Sequence, residues 1–235
     1  MTNFAFRNGQ RIASRQNSRQ VILHEFGNAL ALIMTSSELL QNYYPLLPDK
    51  RKQELFLIIQ NQTIFLSQLI DDVLIFPAAI DADLNPPVLD LERLCRQITA
   101  KFDSPQQPIE FACTGSCTLR LDEELVYIIL SRLLANAVKF SRHQSNTPIE
   151  FTLNCSDSQM EITVQDYGLG IPNEDQQHVI EPFYRGRNAD GFPGAGLGLA
   201  VVTRCIEALN GVLEIKSAEN TGTLVIVRLP VSASV

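Results

Sequence analysis

Two apolar seams at alternating three- and four-residue steps, split by prolines, are the strongest constraint on how this chain can fold. The first runs through Leu23, Phe26, Leu30, Ile33, Ser37, Leu40 and Tyr44, the second through Leu55, Ile59, Gln62, Leu66, Leu69, Val73 and Phe76. Such spacing belongs to helices that pack along other helices. Pro45 and Pro48 interrupt the pattern and Pro77 ends it, because proline lacks the amide that a helix interior requires. The expectation is a helix from about Asn17 to Tyr44, a turn over Tyr44–Asp49 and a second helix from about Lys50 to Phe76, forming an antiparallel hairpin. A lone hairpin covers one face of each helix, yet Leu57, Ile58, Ile64 and Phe65 widen the apolar stripe. A homodimer, pairing two hairpins into a four-helix bundle, covers the remainder.

The 235 residues allow one large domain or two small ones, and a net charge of −7 argues against nucleic acid or an anionic membrane as the main partner. The longest apolar runs, such as 29–34, are too short to span a bilayer. The N-terminus shows no signal-peptide pattern, since Arg7, Arg11 and Arg15 are not followed by an apolar core. Five scattered cysteines include the close pair Cys113 and Cys117, with no second pair or histidine cluster to make a zinc site. All five read as reduced thiols of a cytoplasmic protein.

Residues 1–16 read as a polar N-terminal segment, 17–77 as the hairpin, 78–87 as a linker and 88–235 as a second domain. In that domain Leu89–Lys101 reads as a helix capped by Asp90, with strands at Ile109–Cys113 and Cys117–Leu121. An amphipathic helix follows over Asp122–Ser141. Pro148–Asn154 and Met160–Gln165 alternate as a strand hairpin, Gly194–Leu209 reads as a helix, and Val212–Lys216 with Thr223–Leu229 as a closing hairpin. Helices beside a mostly antiparallel sheet make an α+β two-layer sandwich.

Four stretches carry chemistry. His24, Glu25 and Asn28 fall within about one turn of the first helix, with Asn28 one turn beyond His24 on the same side; alone, they also fit a satisfied core histidine. Asn136 and Lys139, three apart, can share a face from which an amide oxygen ligates Mg²⁺ and an ammonium neutralises phosphate; a solvated pair fits equally. Asp166 follows a strand and opens a run with Gly168 and Gly170, where a carboxylate can accept a bond from an exocyclic amine; a plain glycine turn is the alternative. Gly194, Gly196, Leu197 and Gly198 open a helix whose free amides suit phosphate. The polar stretch 173–193 between the two glycine runs, with Phe183 inside it, reads as a nucleotide lid. Arg185 and Arg187 within it are either phosphate contacts or solvated charges, and His143 and His178 read as surface residues.

Along about residues 18–230 the chain resembles the two-domain catalytic core of bacterial sensor histidine kinases of two-component systems. Its second part looks like the GHKL ATPase fold. Asn136 with Lys139 matches the N box, Asp166–Gly170 the G1 box, Pro182–Gly186 the F box and Gly194–Leu199 the G2 box. The resemblance implies ATP and Mg²⁺ as cofactors, with Asn136 holding the metal, Lys139 on phosphate, Asp166 reading adenine, and Gly168, Gly170, Phe183, Gly194, Gly196, Leu197 and Gly198 forming the nucleotide site. It makes His24 the phosphoacceptor of a dimeric bundle, Glu25 the group on its other ring nitrogen, and Asn28 the residue that orients water for dephosphorylation. The implied function is autophosphorylation of His24 and transfer to an aspartate of a response-regulator receiver domain, which the protein also dephosphorylates. Its input comes from a separate sensory protein or a sensor domain elsewhere in a longer chain. Gly27 and Ala29 stand where the family carries Arg and Pro, so Gly27 would have to supply the flexibility of the missing proline. The alternative is a phosphorylation-poor dimeric module that docks, sequesters or dephosphorylates a regulator.

Overall fold

Apolar periodicity and proline punctuation produce the hairpin. In the computed structural model, which describes residues 3–75, 86–105, 107–141, 147–156, 158–189, 191–192 and 194–230, helix α1 spans Asn3–Tyr43 and α2 spans Asp49–Ile75. A single 3₁₀ turn at Tyr44–Leu46, with Pro45 near its start, joins them. Helix α1 therefore begins well before the expected Asn17, taking in most of the residues read as a polar segment. It runs unbroken through Gly27, where nothing lies within 4 Å of an added Cβ.

The inner face of the hairpin is narrower than the first seam suggested. Ala29, Ser36 and Leu40 of α1 and Leu55 and Leu69 of α2 are buried. Ile33, Ile59, Gln62 and Leu66 are half-buried along the same stripes, whereas Leu23, Phe26, Leu30 and Tyr44 lie exposed. The second seam thus faces α1, while the first divides between the inner face and solvent. Val73, Phe76 and the linker up to residue 85 lie outside what is described of side chains or backbone.

The described residues from 86 onward, apart from 194–195, form a second compact unit. Its main sheet has the order β2-β4-β5-β7-β6, from β2 (Ile109–Thr114), β4 (Ile149–Cys155), β5 (Gln159–Asp166), β7 (Gly222–Pro230) and β6 (Val212–Ala218). Strands β2 and β4 pair in parallel and the other neighbours antiparallel, so the sheet is mixed. A smaller sheet pairs β1 (Val88–Asp90) with β3 (Thr118–Arg120). Sequence periodicity missed β1, whose three residues are too few to show alternation. Asp90 caps α3 (Leu91–Phe102) as expected, accepting the Arg93 amide at 3.0 Å.

Helices α3, α4 (Glu123–Ser141) and α5 (Gly198–Ala208) pack side by side and against the sheet. Leu125, Val126, Ile129, Leu130, Leu133, Leu134, Ala137 and Val138 of α4 are buried. They meet a sheet face of fully buried Ile149, Phe151 and Leu153 from β4 and Met160, Ile162 and Val164 from β5. This period-3.6 face on period-2 strands is the core that fixes the ends of β5, α4 and α5. The cysteine expectation is overturned: Cys117 and Cys155 form a disulfide, and Cys113 keeps its thiol. Their separation of 38 residues hid the pairing, which strand order creates by bringing the end of β4 to the start of β3.

Candidate nucleotide and phosphoacceptor sites

Strand β5 delivers Asp166 to its end by inward alternation, since Met160, Ile162, Val164 and Asp166 all point to the buried side. The carboxylate is 6% exposed and accepts two backbone bonds on the same oxygen, Oδ1: from Gly168 at 3.0 Å and from Thr223 at 3.3 Å. Burial outweighs those two bonds and pushes its pKa up to about 6. The loop after it is bracketed on both sides. Leu169 donates to the Phe140 carbonyl at the end of α4 (3.1 Å) and accepts from Asn220 (2.7 Å), while Ile171 donates to Ser217 Oγ (2.8 Å). Gly168 lies so close to α4 that a Cβ there would overlap the Phe140 carbonyl, so only glycine fits.

Helix α4 buries its apolar face and leaves Asn136 and Lys139 half-exposed. Asn136 faces the start of α5: a Cβ built on Gly198 would lie 3.5 Å from its Nδ2 and 3.7 Å from its Oδ1. Lys139 Nζ stands 4.6 Å from the centroid of the Phe140 ring, which in turn lies 5.3 Å from the Phe192 ring. Helix α5 begins at Gly198 rather than Gly194, with no side-chain cap on its first turn. Its N-cap residue, Leu197, thus gives its first amides no side-chain acceptor, an arrangement that suits an anion. Leu197 is 1% exposed, so only its backbone can face a ligand. Gly194 and Gly196 both hold positive φ, 148° and 71°.

The stretch between the glycine runs is folded by one carboxylate that sequence reading passed over. Asp175 has no exposed surface; it accepts the Tyr184 hydroxyl at 2.7 Å and the Arg187 amide at 2.9 Å. Those bonds, the tyrosine's first, hold its pKa below the usual carboxylate range. In sequence Asp175 is one more acid in a polar loop, and nothing signals partners nine and twelve residues away. The loop meets the glycine run through Phe183, a non-glycine residue at φ 66°, whose amide donates to the Gly196 carbonyl at 2.9 Å. A bulky residue in that region persists only when its surroundings hold it. Asn188 ties the same loop to the Gly170 carbonyl (3.1 Å). Arg185 bonds the Ala189 and Phe192 carbonyls and Arg187 pairs with Glu174, so both arginines have partners inside the loop. His178 pairs with Glu181 at 2.9 Å, and His143 lies outside the described residues.

On the hairpin, His24 and Asn28 are exposed and Glu25 half-buried. Asn28 Nδ2 lies 3.0 Å from His24 Nδ1. As placed, the amide donates to Nδ1 and leaves the ring proton on Nε2. With the carboxamide turned over, the same atom positions let Oδ1 accept an Nδ1 proton and free the Nε2 lone pair. The α/β unit thus brings together Asn136, Gly198, Asp166, Gly168, Gly170, Phe183 and Gly196, while His24, Glu25 and Asn28 form a separate group on the hairpin.

Residues 121–233 match the family described as histidine kinase-, DNA gyrase B-, and HSP90-like ATPase. Among curated relatives, sensor histidine kinase YclK of Bacillus subtilis is 25% identical over 90% of this chain and 46% of its own length. Sensor histidine kinase YvrG of the same organism is 27% identical over 93% and 39%. The chain spans less than half the length of these relatives. The Acinetobacter baumannii histidine kinase AdeS shares the fold with a TM-score of 0.65 at 21% identity, covering 89% of this chain and 98% of that one. Full-length ShkA in complex with AMPPNP superimposes with a TM-score of 0.62 at 22% identity, over 93% and 46%. Residues 121–233 belong to the histidine kinase-, DNA gyrase B- and HSP90-like ATPases, and with the helical hairpin before them they share the fold of the solved histidine kinases.

Proposed function

We propose that the chain is an ATP-dependent protein-histidine kinase that phosphorylates His24 and passes the group to an aspartate of a response-regulator receiver domain. The observation that carries this reading is the apposition of Asn136 to the uncapped start of α5, in a chain whose hairpin also presents an exposed His24 bonded to Asn28. Asp166 would read adenine through Oδ2, since both of its backbone bonds fall on Oδ1. The α5 amides and Lys139 would meet the phosphates. His24 Nε2 would attack the γ-phosphorus, the bond to the β–γ bridging oxygen would break, and ADP would leave. Asn28 in its accepting orientation would hold the tautomer that frees Nε2. Glu25, the next residue along the helix, would take up developing positive charge.

Mg²⁺ fits the donor set in a limited way. Among the described residues no group of three or more His, Cys, Asp and Glu side chains is placed to hold a metal. The Asn136 carboxamide oxygen would be the protein's ligand to the ion. Bound there, Mg²⁺ supplies neutralisation of phosphate charge. No helix among the described residues is long and apolar enough to cross a membrane, and the reading places this core in the cytoplasm with its ATP. It also makes the hairpin the homodimer interface and leaves input to a sensory protein or domain.

The test incubates the chain and a His24→Gln variant with γ-labelled ATP and Mg²⁺. Acid-labile, base-stable label on the parent alone is the expected result. Absence of label from both, with nucleotide still bound, would overturn the kinase reading and leave regulator docking or dephosphorylation.

A further inference from the structure

Three sulfurs meet at the end of the sheet opposite Asp166. Cys117 is joined to Cys155, and the free Cys113 sulfur lies 3.6 Å from the Cys117 sulfur. Their exposures differ in an ordered way: Cys117 is buried at 6%, whereas Cys113 and Cys155 are both half-exposed. The buried sulfur is thus the shared one, flanked by two accessible partners on β2 and β4, whose ends run parallel with Thr114 opposite Asn154. The side chains of those two residues hydrogen-bond, fixing the strand ends beside the cluster. Burial raises all three free thiols, but Cys95 and Cys205, at about 12 and about 11, are also shut off from solvent, whereas Cys113 is half-exposed and within reach of the disulfide.

We propose that Cys113, Cys117 and Cys155 form a thiol–disulfide exchange site, in which Cys113 displaces Cys155 from Cys117. The Cys113 thiolate attacks the Cys117 sulfur, a Cys113–Cys117 bond forms, and the Cys117–Cys155 bond breaks. The electron pair leaves on Cys155, which takes up the proton that Cys113 gave to solvent. No oxidant or reductant is consumed, because one disulfide and one thiol stand on each side. The exchange moves the free, accessible thiol from β2 to β4 and re-anchors the start of β3 from β4 to β2. That anchor reaches further, since the Cys117 carbonyl accepts the Leu91 amide at the start of α3 (2.9 Å). The site is therefore one where an external thiol or disulfide would modify Cys113 or Cys155 according to which crosslink is present.

The experiment uses the full chain oxidised with glutathione disulfide, freed of glutathione, held in acid and then moved to pH 8 with no added thiol. Samples are acid-quenched, alkylated and digested with trypsin. The two crosslinks give different products: segment 102–120 joined to segment 143–185, or segment 102–120 closed on itself with Cys155 alkylated. The expected result is that the second product grows in at a rate independent of protein concentration and is absent from Cys113→Ser. A parallel sample of Cys155→Ser, oxidised in the same way, is expected to hold Cys113–Cys117. The proposal is overturned if the parent keeps only Cys117–Cys155 at equilibrium, or if all five cysteines remain alkylatable after oxidation. It is also overturned if the new product forms at a rate that rises with protein concentration. Should Cys155→Ser fail to fold, judged by its far-ultraviolet circular dichroism, the time course of the parent decides alone.

Discussion

Asp166 shows how one residue can be costly to the fold and useful to the site. Its pKa of about 6 lies above the ordinary 3.8 because burial opposes its charge more than two backbone donors support it. The unfolded chain releases this proton first as pH rises, so between about 4 and 6 the unfolded state binds fewer protons than the folded one. Stability therefore falls across that window, and the cost, of order 3 kcal/mol, is fully present above it. Asp166→Asn removes that cost, and its melting temperature at pH 7.5 is expected to equal or exceed the parent's. On the proposed reading, the same substitution turns the acceptor for adenine into a group that can present a donor, and ATP affinity is expected to fall by about tenfold or more. In the parent, ATP affinity measured by calorimetry should weaken as pH drops from 7.5 to 5.5, following protonation of this carboxylate. A variant that loses stability and keeps its affinity would assign Asp166 to the fold alone.

At the scale of the element, the stretch from Pro172 to Phe192 behaves as a built loop centred on Asp175. Tyr184→Phe deletes one hydroxyl and leaves a fully buried carboxylate short of a donor, a change worth about 1–3 kcal/mol. Because the Phe183 amide bonds the Gly196 carbonyl, the expected effect is on nucleotide binding: KM for ATP rises several-fold while kcat changes less. Asp175→Ala should do the same, and the double variant should cost no more than the larger single effect, since both remove one interaction. Additive losses would break the link between the two residues. What was legible in the sequence follows the same division. Helices α2, α4 and α5 and the strands of the main sheet announced themselves through periodicity, and the glycine runs marked where backbone must approach backbone. Asp175–Tyr184, Cys117–Cys155 and the β1–β3 pair did not, because each depends on partners that only the folded topology brings together. Helix α1 overran its expected start because the polar residues before Asn17 contain no proline to stop it.

At the scale of the whole molecule, the hairpin leaves more apolar surface than one copy can cover. Leu23 is 62% exposed, Met34 60%, Leu57 55% and Ile64 50%, while the inner stripe of Ala29, Ser36, Leu40, Leu55 and Leu69 is already filled. Water contact at these outward residues is costly, and an isologous dimer that forms a four-helix bundle removes it. The two faces can be separated by substitution. Leu30→Arg and Leu57→Arg place charge on the outward face and leave the inner stripe intact, so the expected product is a folded monomer by sedimentation at about 10 μM. Leu55→Ala instead opens a cavity inside the hairpin and is expected to cost about 2–5 kcal/mol, lowering helical content along with association. ATP binding, which belongs to the α/β unit, should persist in all three. If the two arginine variants stay dimeric with the parent's affinity, the outward face is not the interface. The shared-bundle reading of His24 would then lose its physical basis, because His24 stands one residue from Leu23 on that same exposed stretch of α1.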